Sequence, residues 1–148
     1  MKSVVIVISG RGSNMQAIVE AAQREQWPAR IALVVSNQPG AAGLEWAQSR
    51  GLPVLAMDHR RFASREAFEE ELAAAIDAHA PAAVVLAGFM RVLTASFVAR
   101  YEGRLLNIHP SLLPSFPGLH THRQALAHGV RIHGCTVHFV TAQLDHGP

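Results

Sequence analysis

The chain has 148 residues, a formal net charge of +2 and a single cysteine, Cys135. Its length suits one domain, and one cysteine excludes an intramolecular disulfide bond, which fits a reducing compartment. The small net charge argues against binding to nucleic acid, and no apolar run approaches the length of a membrane span. We therefore expect a cytoplasmic protein that binds neither nucleic acid nor a membrane.

Apolar strand patterns alternate with amphipathic helix patterns along the chain. The predicted strands cover residues 3–9, 31–36, 53–57, 82–87, 104–108 and 131–140. The predicted helices cover residues 14–26, 42–50, 64–79, 94–101 and 121–128. This alternation predicts an α/β fold, with a mainly parallel open sheet covered by helices on both faces. No domain boundary interrupts the pattern, so residues 1–148 are expected to form one domain, with Cys135 as an inert thiol in its core.

Residues 105–114, LLNIHPSLLP, place an amide and an imidazole at the end of a predicted strand. Side chains alternate between the faces of a strand, so Asn107 and His109 project to the same side. Pro110 has no backbone N–H and ends the strand just after them. Parallel α/β sheets bind ligands at this carboxyl end, and an amide donor beside a titratable base suits a reaction in which a carbonyl oxygen gains negative charge.

Residues 9–14, SGRGSN, join the first predicted strand to the first helix. Glycines let backbone amides approach a ligand, and a helix N-terminus attracts an anion. Met15 stands where a dinucleotide fingerprint has its third glycine, and the Lys-Ser/Thr pair of a P-loop is missing. The turn therefore favours a single phosphate, held by Gly12, Ser13 and Asn14, over NAD or ATP. A tight turn with no ligand explains the same residues equally well.

Residues 87–93, AGFMRVL, follow the fourth predicted strand and so lie at the same edge of the sheet. Apolar side chains surround Arg91 here, and this combination suits a flat heterocycle with a carboxylated tail. Packing of Phe89, Met90 and Leu93 into the core is the simpler alternative.

Asp145 follows the last predicted strand, which also brings it to the edge of the sheet. Its carboxylate would stabilise a protonated His109 if the two groups were close. An Asx turn ahead of Gly147 and Pro148 accounts for the same residue without a catalytic role. The nine histidines of the chain show no zinc-ligand spacing, so no metal cofactor is expected.

Taken together, these segments resemble one family, the folate-dependent phosphoribosylglycinamide formyltransferases of purine biosynthesis. The matching blocks are residues 8–14, 86–93, 106–117 and 133–148, and the resemblance extends over essentially the whole chain. Methionyl-tRNA formyltransferases share a similar His-Pro-Ser-Leu-Leu-Pro segment but differ at the first turn and after that segment. The resemblance implies a Rossmann-like formyltransferase fold and transfer of a formyl group from 10-formyltetrahydrofolate, the co-substrate, to the amine of glycinamide ribonucleotide.

The resemblance also implies roles for individual residues. The implied catalytic residues are Asn107, His109 and Asp145. The residues implied to bind the substrate phosphate are Gly12, Ser13 and Asn14. The residues implied to line the folate pocket are Arg65, Met90, Arg91, Val92, Leu93 and Asn107. The partners would be these two small molecules, and the protein would be a monomer or a homodimer.

Two features depart from the family pattern. His146 stands beside Asp145, where relatives often have a small residue. Relatives continue past the position of Pro148 with further strand and helix residues, so we expect the domain to lack that C-terminal portion. Two other functions stay open. The chain could be another folate-dependent formyltransferase or a formyltetrahydrofolate hydrolase. Alternatively, it could be a fragment that binds phosphate or folate without catalysing a reaction.

Overall fold

One six-stranded sheet organises the chain, and the computed structural model describes all of residues 1–148. The strands are β1 (Lys2–Ile8), β2 (Ala29–Ser36), β3 (Val54–Ala56), β4 (Ala83–Leu86), β5 (Leu105–His109) and β6 (Thr136–Phe139). Their order across the sheet is β3-β2-β1-β4-β5-β6. The first five strands pair in parallel and β6 pairs antiparallel with β5, which confirms the predicted α/β fold with a mainly parallel sheet.

Helices cover both faces of this sheet. They are α1 (Ser13–Arg24), α2 (Ala42–Ser49), α3 (Arg65–Asp77), α4 (Ala95–Arg100) and α5 (Thr121–His128), with a short 3-10 helix at His59–Arg61. Side chains of a buried strand alternate, so β1 sends Val5 and Val7 into the apolar cluster of α3 and α4. Ile6 and Ile8 join the opposite cluster, with α1 and α2. No helix is both long enough and apolar enough to cross a membrane.

The last strand is shorter than the predicted 131–140. β6 begins at Thr136, which pairs with His109, the last residue of β5. The position before Thr136 would face Pro110, which has no N–H to give to the ladder, so strand pairing stops there. Cys135 is exposed as a consequence, and its predicted place in the core is wrong.

A polar cluster joins the C-terminal ends of α3 and α4. The buried Tyr101 hydroxyl donates to Asp77 Oδ1 at 2.8 Å, and Arg100 Nε donates to Asp77 Oδ2 at 3.0 Å. Burial by itself would raise the pKa of Asp77, but the hydrogen bonds from Arg100 and Tyr101 outweigh burial and lower that pKa. The ionised form of Asp77 therefore stabilises the fold.

Replacing Asp77 with Asn should remove a contribution to stability that depends on pH. The pKa of Asp77 is lower in the folded chain, so its contribution is present above the ordinary value of 3.8 and is lost as the pH falls through the folded value. Urea titrations should therefore give a lower free energy of unfolding for Asp77→Asn at neutral pH, and the difference should shrink in acid. An equal difference at both pH values would contradict this role.

Candidate active site

An imidazole and a carboxylate meet at the carboxyl edge of the sheet. His109 ends β5, and the segment after β6 folds back, with Phe139 N–H donating to Pro148 O at 2.6 Å, so that Asp145 returns to this edge. His109 Nδ1 lies 3.3 Å from Asp145 Oδ1, and the two side chains are only 6% and 8% exposed. Shielding from water strengthens the attraction between a carboxylate and a protonated ring.

Backbone groups of the loop between β5 and α5 hold both side chains. Phe116 O lies 3.0 Å from His109 Nε2, and Gly118 N–H donates to Asp145 Oδ2 at 2.7 Å. A carbonyl oxygen only accepts, so His109 Nε2 is the donor in its contact with Phe116. An ionised Asp145 also only accepts, so a ring with a proton on each nitrogen satisfies both contacts. The loop thus orients the imidazole and the carboxylate together.

Side chains from outside the loop anchor it in turn. Thr136 Oγ1, on β6, donates to Ser111 O at 2.6 Å and accepts from Leu113 N–H at 3.0 Å. Gln124 Nε2, on α5, donates to Leu119 O at 2.7 Å. Loop backbone groups that no strand or helix can satisfy therefore have partners, which favours one conformation of the loop.

Asn107 lies between two neighbouring strands at this edge. It is half-buried, and it pairs with Leu86 on β4 and with His138 on β6. The alternation of β5 places Asn107 on the same face as His109, as the sequence analysis expected. His138 is 4% exposed and was missed by the sequence analysis, although a histidine between apolar strand residues was an available signal.

The turn after β1 presents backbone donors at the start of α1. Gly12 adopts the left-handed conformation, with φ 68°, and Ser13 and Asn14 are exposed in the first turn of the helix. The first N–H groups of a helix have no partner within it, and together with the helix dipole they favour an anion. The three residues predicted to bind phosphate are therefore placed together at one accessible helix start.

The loop between β4 and α4 presents apolar side chains to solvent. Met90 and Val92 are 67% and 55% exposed. Arg91 is half-buried, and Leu93 packs against the core. Arg65 is exposed at the start of α3. Residues 90–93 therefore form one surface, and Leu93 also packs against the core. Arg65 belongs to a different element, α3.

A buried polar chain ties this loop to the neighbouring strands. Ser9 Oγ accepts from Met90 N–H at 2.8 Å and donates to Asn37 Oδ1 at 2.7 Å. Asn37 Nδ2 lies 3.1 Å from His59 Nδ1, which accepts because the amide nitrogen can only donate. Ser9 and Asn37 are buried, where hydrogen bonds are strong and unpaired groups are unfavourable. Ser9 and Asn37 were not among the predicted site residues, and their only signal in the sequence is that polar residues follow β1 and β2.

A cleft of about 560 Å³ opens beside Asp145. It is lined by Leu113, Pro114, Thr136, Thr141, Asp145, His146, Gly147 and Pro148. Neither Asn107 nor His109 is among the residues that line it. His146 is exposed, and its carbonyl accepts from Thr141 Oγ1 at 2.6 Å, so this departure from the family pattern lies on the wall of the cleft. No group of three or more His, Cys, Asp or Glu side chains is arranged to hold a metal ion.

Replacing Gly43 with Ala should disturb the turn that precedes α1. Gly43 N–H donates to Gly10 O at 3.2 Å, and an added Cβ would lie 2.5 Å from Ile8 Cδ1 and 2.9 Å from the carbonyl oxygens of Gly10 and Arg11. We expect a loss of about 1–3 kcal/mol in the free energy of unfolding, measured by urea titration. Gly40→Ala is the matched control, because nothing lies within 4 Å of its added Cβ. Equal stability of the two variants would contradict the close packing of α2 on the turn.

Comparisons with known proteins identify the family of this chain. The sequence profile described as "Formyl transferase" matches residues 1–148. The chain is 53% identical to phosphoribosylglycinamide formyltransferase of Escherichia coli K12, over 99% of this chain and 69% of that protein. It is 49% identical to the trifunctional purine biosynthetic protein adenosine-3 of Drosophila melanogaster, over 99% of this chain and 11% of that protein.

Solved structures give the same result. The crystal structure of glycinamide ribonucleotide transformylase 1 from Symbiobacterium toebii superposes with a TM-score of 0.95 at 47% identity. The match covers 100% of this chain and 70% of that one. The match of the family profile to residues 1–148, the 53% identity to the Escherichia coli protein and the similarity in fold show that the chain belongs to the formyl transferase family.

Proposed function

We propose that this chain transfers the formyl group of 10-formyltetrahydrofolate to the amine of glycinamide ribonucleotide. The observation that carries the proposal is the buried contact between His109 and Asp145, on the face of the sheet that also holds Asn107. This is the edge at which parallel α/β sheets bind ligands. The names of the relatives, a phosphoribosylglycinamide formyltransferase and a purine biosynthetic protein, support the same acceptor and pathway.

Each substrate has a matching group of residues. The ribonucleotide phosphate would bind the backbone amides and hydroxyl at the start of α1, at Gly12, Ser13 and Asn14. The folate would bind against the exposed loop after β4 and near Asn107, with its carboxylates reached by arginine side chains. The folate-binding residues would be Arg65, Met90, Arg91, Val92, Leu93 and Asn107.

The chemistry follows from charge that develops on one oxygen. The glycinamide nitrogen attacks the formyl carbon, and the formyl oxygen becomes negative. The Asn107 amide and the protonated His109 ring stabilise this oxyanion. The bond between the carbon and folate N10 then breaks, and the proton released by the amine reaches N10 with the help of Asp145. The products are the formylated amine and tetrahydrofolate.

The two contacts of the His109 ring suggest which nitrogen faces the reaction. His109 Nε2 lies 3.0 Å from Phe116 O, whereas His109 Nδ1 lies 3.3 Å from Asp145 Oδ1. The shorter contact fixes the orientation of the ring through the loop. The longer contact leaves the Nδ1 proton free to be shared between Asp145 and a developing oxyanion, which is a stronger acceptor than a neutral carbonyl.

The acceptor is identified by incubating the protein with 10-formyltetrahydrofolate and one acceptor at a time. We expect formylation of glycinamide ribonucleotide and no reaction with methionyl-tRNA. Formate released without an acceptor would instead indicate a hydrolase. Binding of both ligands in calorimetry, with no product after long incubation, would indicate a binding protein and contradict the proposed function.

His109→Asn and Asp145→Asn should each remove most turnover while sparing folate binding. Loss of an oxyanion donor is expected to lower kcat roughly a hundredfold to a thousandfold. Rates come from steady-state assays, and folate affinity comes from titration calorimetry. His79→Asn, after α3, is the matched control and should keep wild-type rates. A wild-type kcat in either site variant would refute the catalytic assignment.

A further inference from the structure

His138 Nε2 is the one buried side-chain nitrogen or oxygen of the chain that has no hydrogen-bond partner. The residue lies on β6 and is 4% exposed. Buried polar atoms in native proteins nearly always have partners, so an exception calls for an explanation. At a reaction centre, the natural explanation is a partner that takes up its position during the reaction.

The other nitrogen of the ring determines what this partner must be. His138 Nδ1 lies 3.0 Å from Phe139 O, a carbonyl that can only accept, so Nδ1 carries a proton and donates. In a neutral imidazole, the second nitrogen then holds a lone pair and accepts. The missing partner of Nε2 is therefore a hydrogen-bond donor.

The strand register places such a donor next to His138. Asn107 on β5 pairs directly with His138 on β6 in the antiparallel ladder. Side chains at directly opposed positions project to the same face of the sheet, with Cβ atoms roughly 4.5–5.5 Å apart. The Asn107 side chain, whose amide has two N–H groups, therefore projects to the same face of the sheet as the unpaired acceptor and as His109.

We propose that His138 is a positioning residue for formyl transfer, whose Nε2 accepts a hydrogen bond from Asn107 Nδ2. This bond excludes the flipped amide, because Asn107 Oδ1 would then face another acceptor. The second N–H of Nδ2 is thereby directed at the formyl oxygen. The inference rests on the proposed function, in which Asn107 stabilises the oxyanion.

Two substitutions distinguish the effect of the hydrogen-bond acceptor of His138 from the effect of the size of its ring. His138→Phe keeps a ring but removes the acceptor, and we expect kcat to fall by about tenfold to a hundredfold, less than for loss of the oxyanion donor itself. The KM values of both substrates should change little, because the bond matters in the transition state. His138→Gln, whose amide oxygen can accept, should recover most of the lost kcat. Val137→Gln, on the opposite face of β6 and 62% exposed, is the control and should keep wild-type rates.

A double-mutant cycle tests whether His138 acts through Asn107. In an Asn107→Ala background, His138→Phe should cause little further loss of kcat, because the amide that it orients is gone. If the double variant lost kcat by the product of the two single losses, His138 would act independently of Asn107, and the inference would be overturned. A kcat of His138→Phe within twofold of wild type would also overturn it.

The tautomer provides a readout that does not depend on activity. In the ligand-free protein, nitrogen-correlated NMR spectra of the histidine rings should show a proton on His138 Nδ1 and none on Nε2, with assignment from the spectrum of His138→Gln. A proton on Nε2 would refute the acceptor role even in an active enzyme. An inactive wild-type protein with the expected tautomer would instead refute the proposed function.

Discussion

The contact between His109 and Asp145 depends on how β5 ends and how β6 pairs with it. Pro110 cannot extend the ladder, so the buried imidazole of His109 stands at the last position of β5. The segment after β6 folds back along the strand and carries Asp145 to the same edge. A buried carboxylate needs polar partners; Asp145 accepts a hydrogen bond from the Gly118 amide, and its other oxygen lies 3.3 Å from His109 Nδ1. The site is therefore a product of strand pairing rather than of one motif.

Backbone groups do much of the positioning around this contact. The loop between β5 and α5 offers a carbonyl to the imidazole and an N–H to the carboxylate, so its conformation sets the relation between the two side chains. Thr136 joins this loop to β6, which also carries His138. Movement of the loop would consequently shift the positions of the imidazole, the carboxylate and the neighbouring strand together.

A second set of interactions links the loop after β4 to the rest of the sheet edge. The hydrogen bonds that run from Met90 through Ser9 and Asn37 to His59 cross the carboxyl ends of four neighbouring strands, β4, β1, β2 and β3. On the other side of the loop, the buried Glu69 on α3 accepts from Thr94 N–H at 2.9 Å, at the start of α4. A surface that is apolar and exposed is thus held in place by buried polar bonds on both sides.

The sequence by itself determined the alternation of strands and helices, the parallel sheet and the end of β5, because these follow from periodicity and from the missing N–H of proline. It also placed Asn107 and His109 on one face, and motif resemblance indicated Asp145. Only the tertiary structure decided that β6 starts at Thr136, which leaves Cys135 exposed. Only it revealed the backbone contacts of the loop and the unpaired nitrogen of His138. These features depend on contacts between residues that are distant in the sequence. Local residue patterns do not predict such contacts.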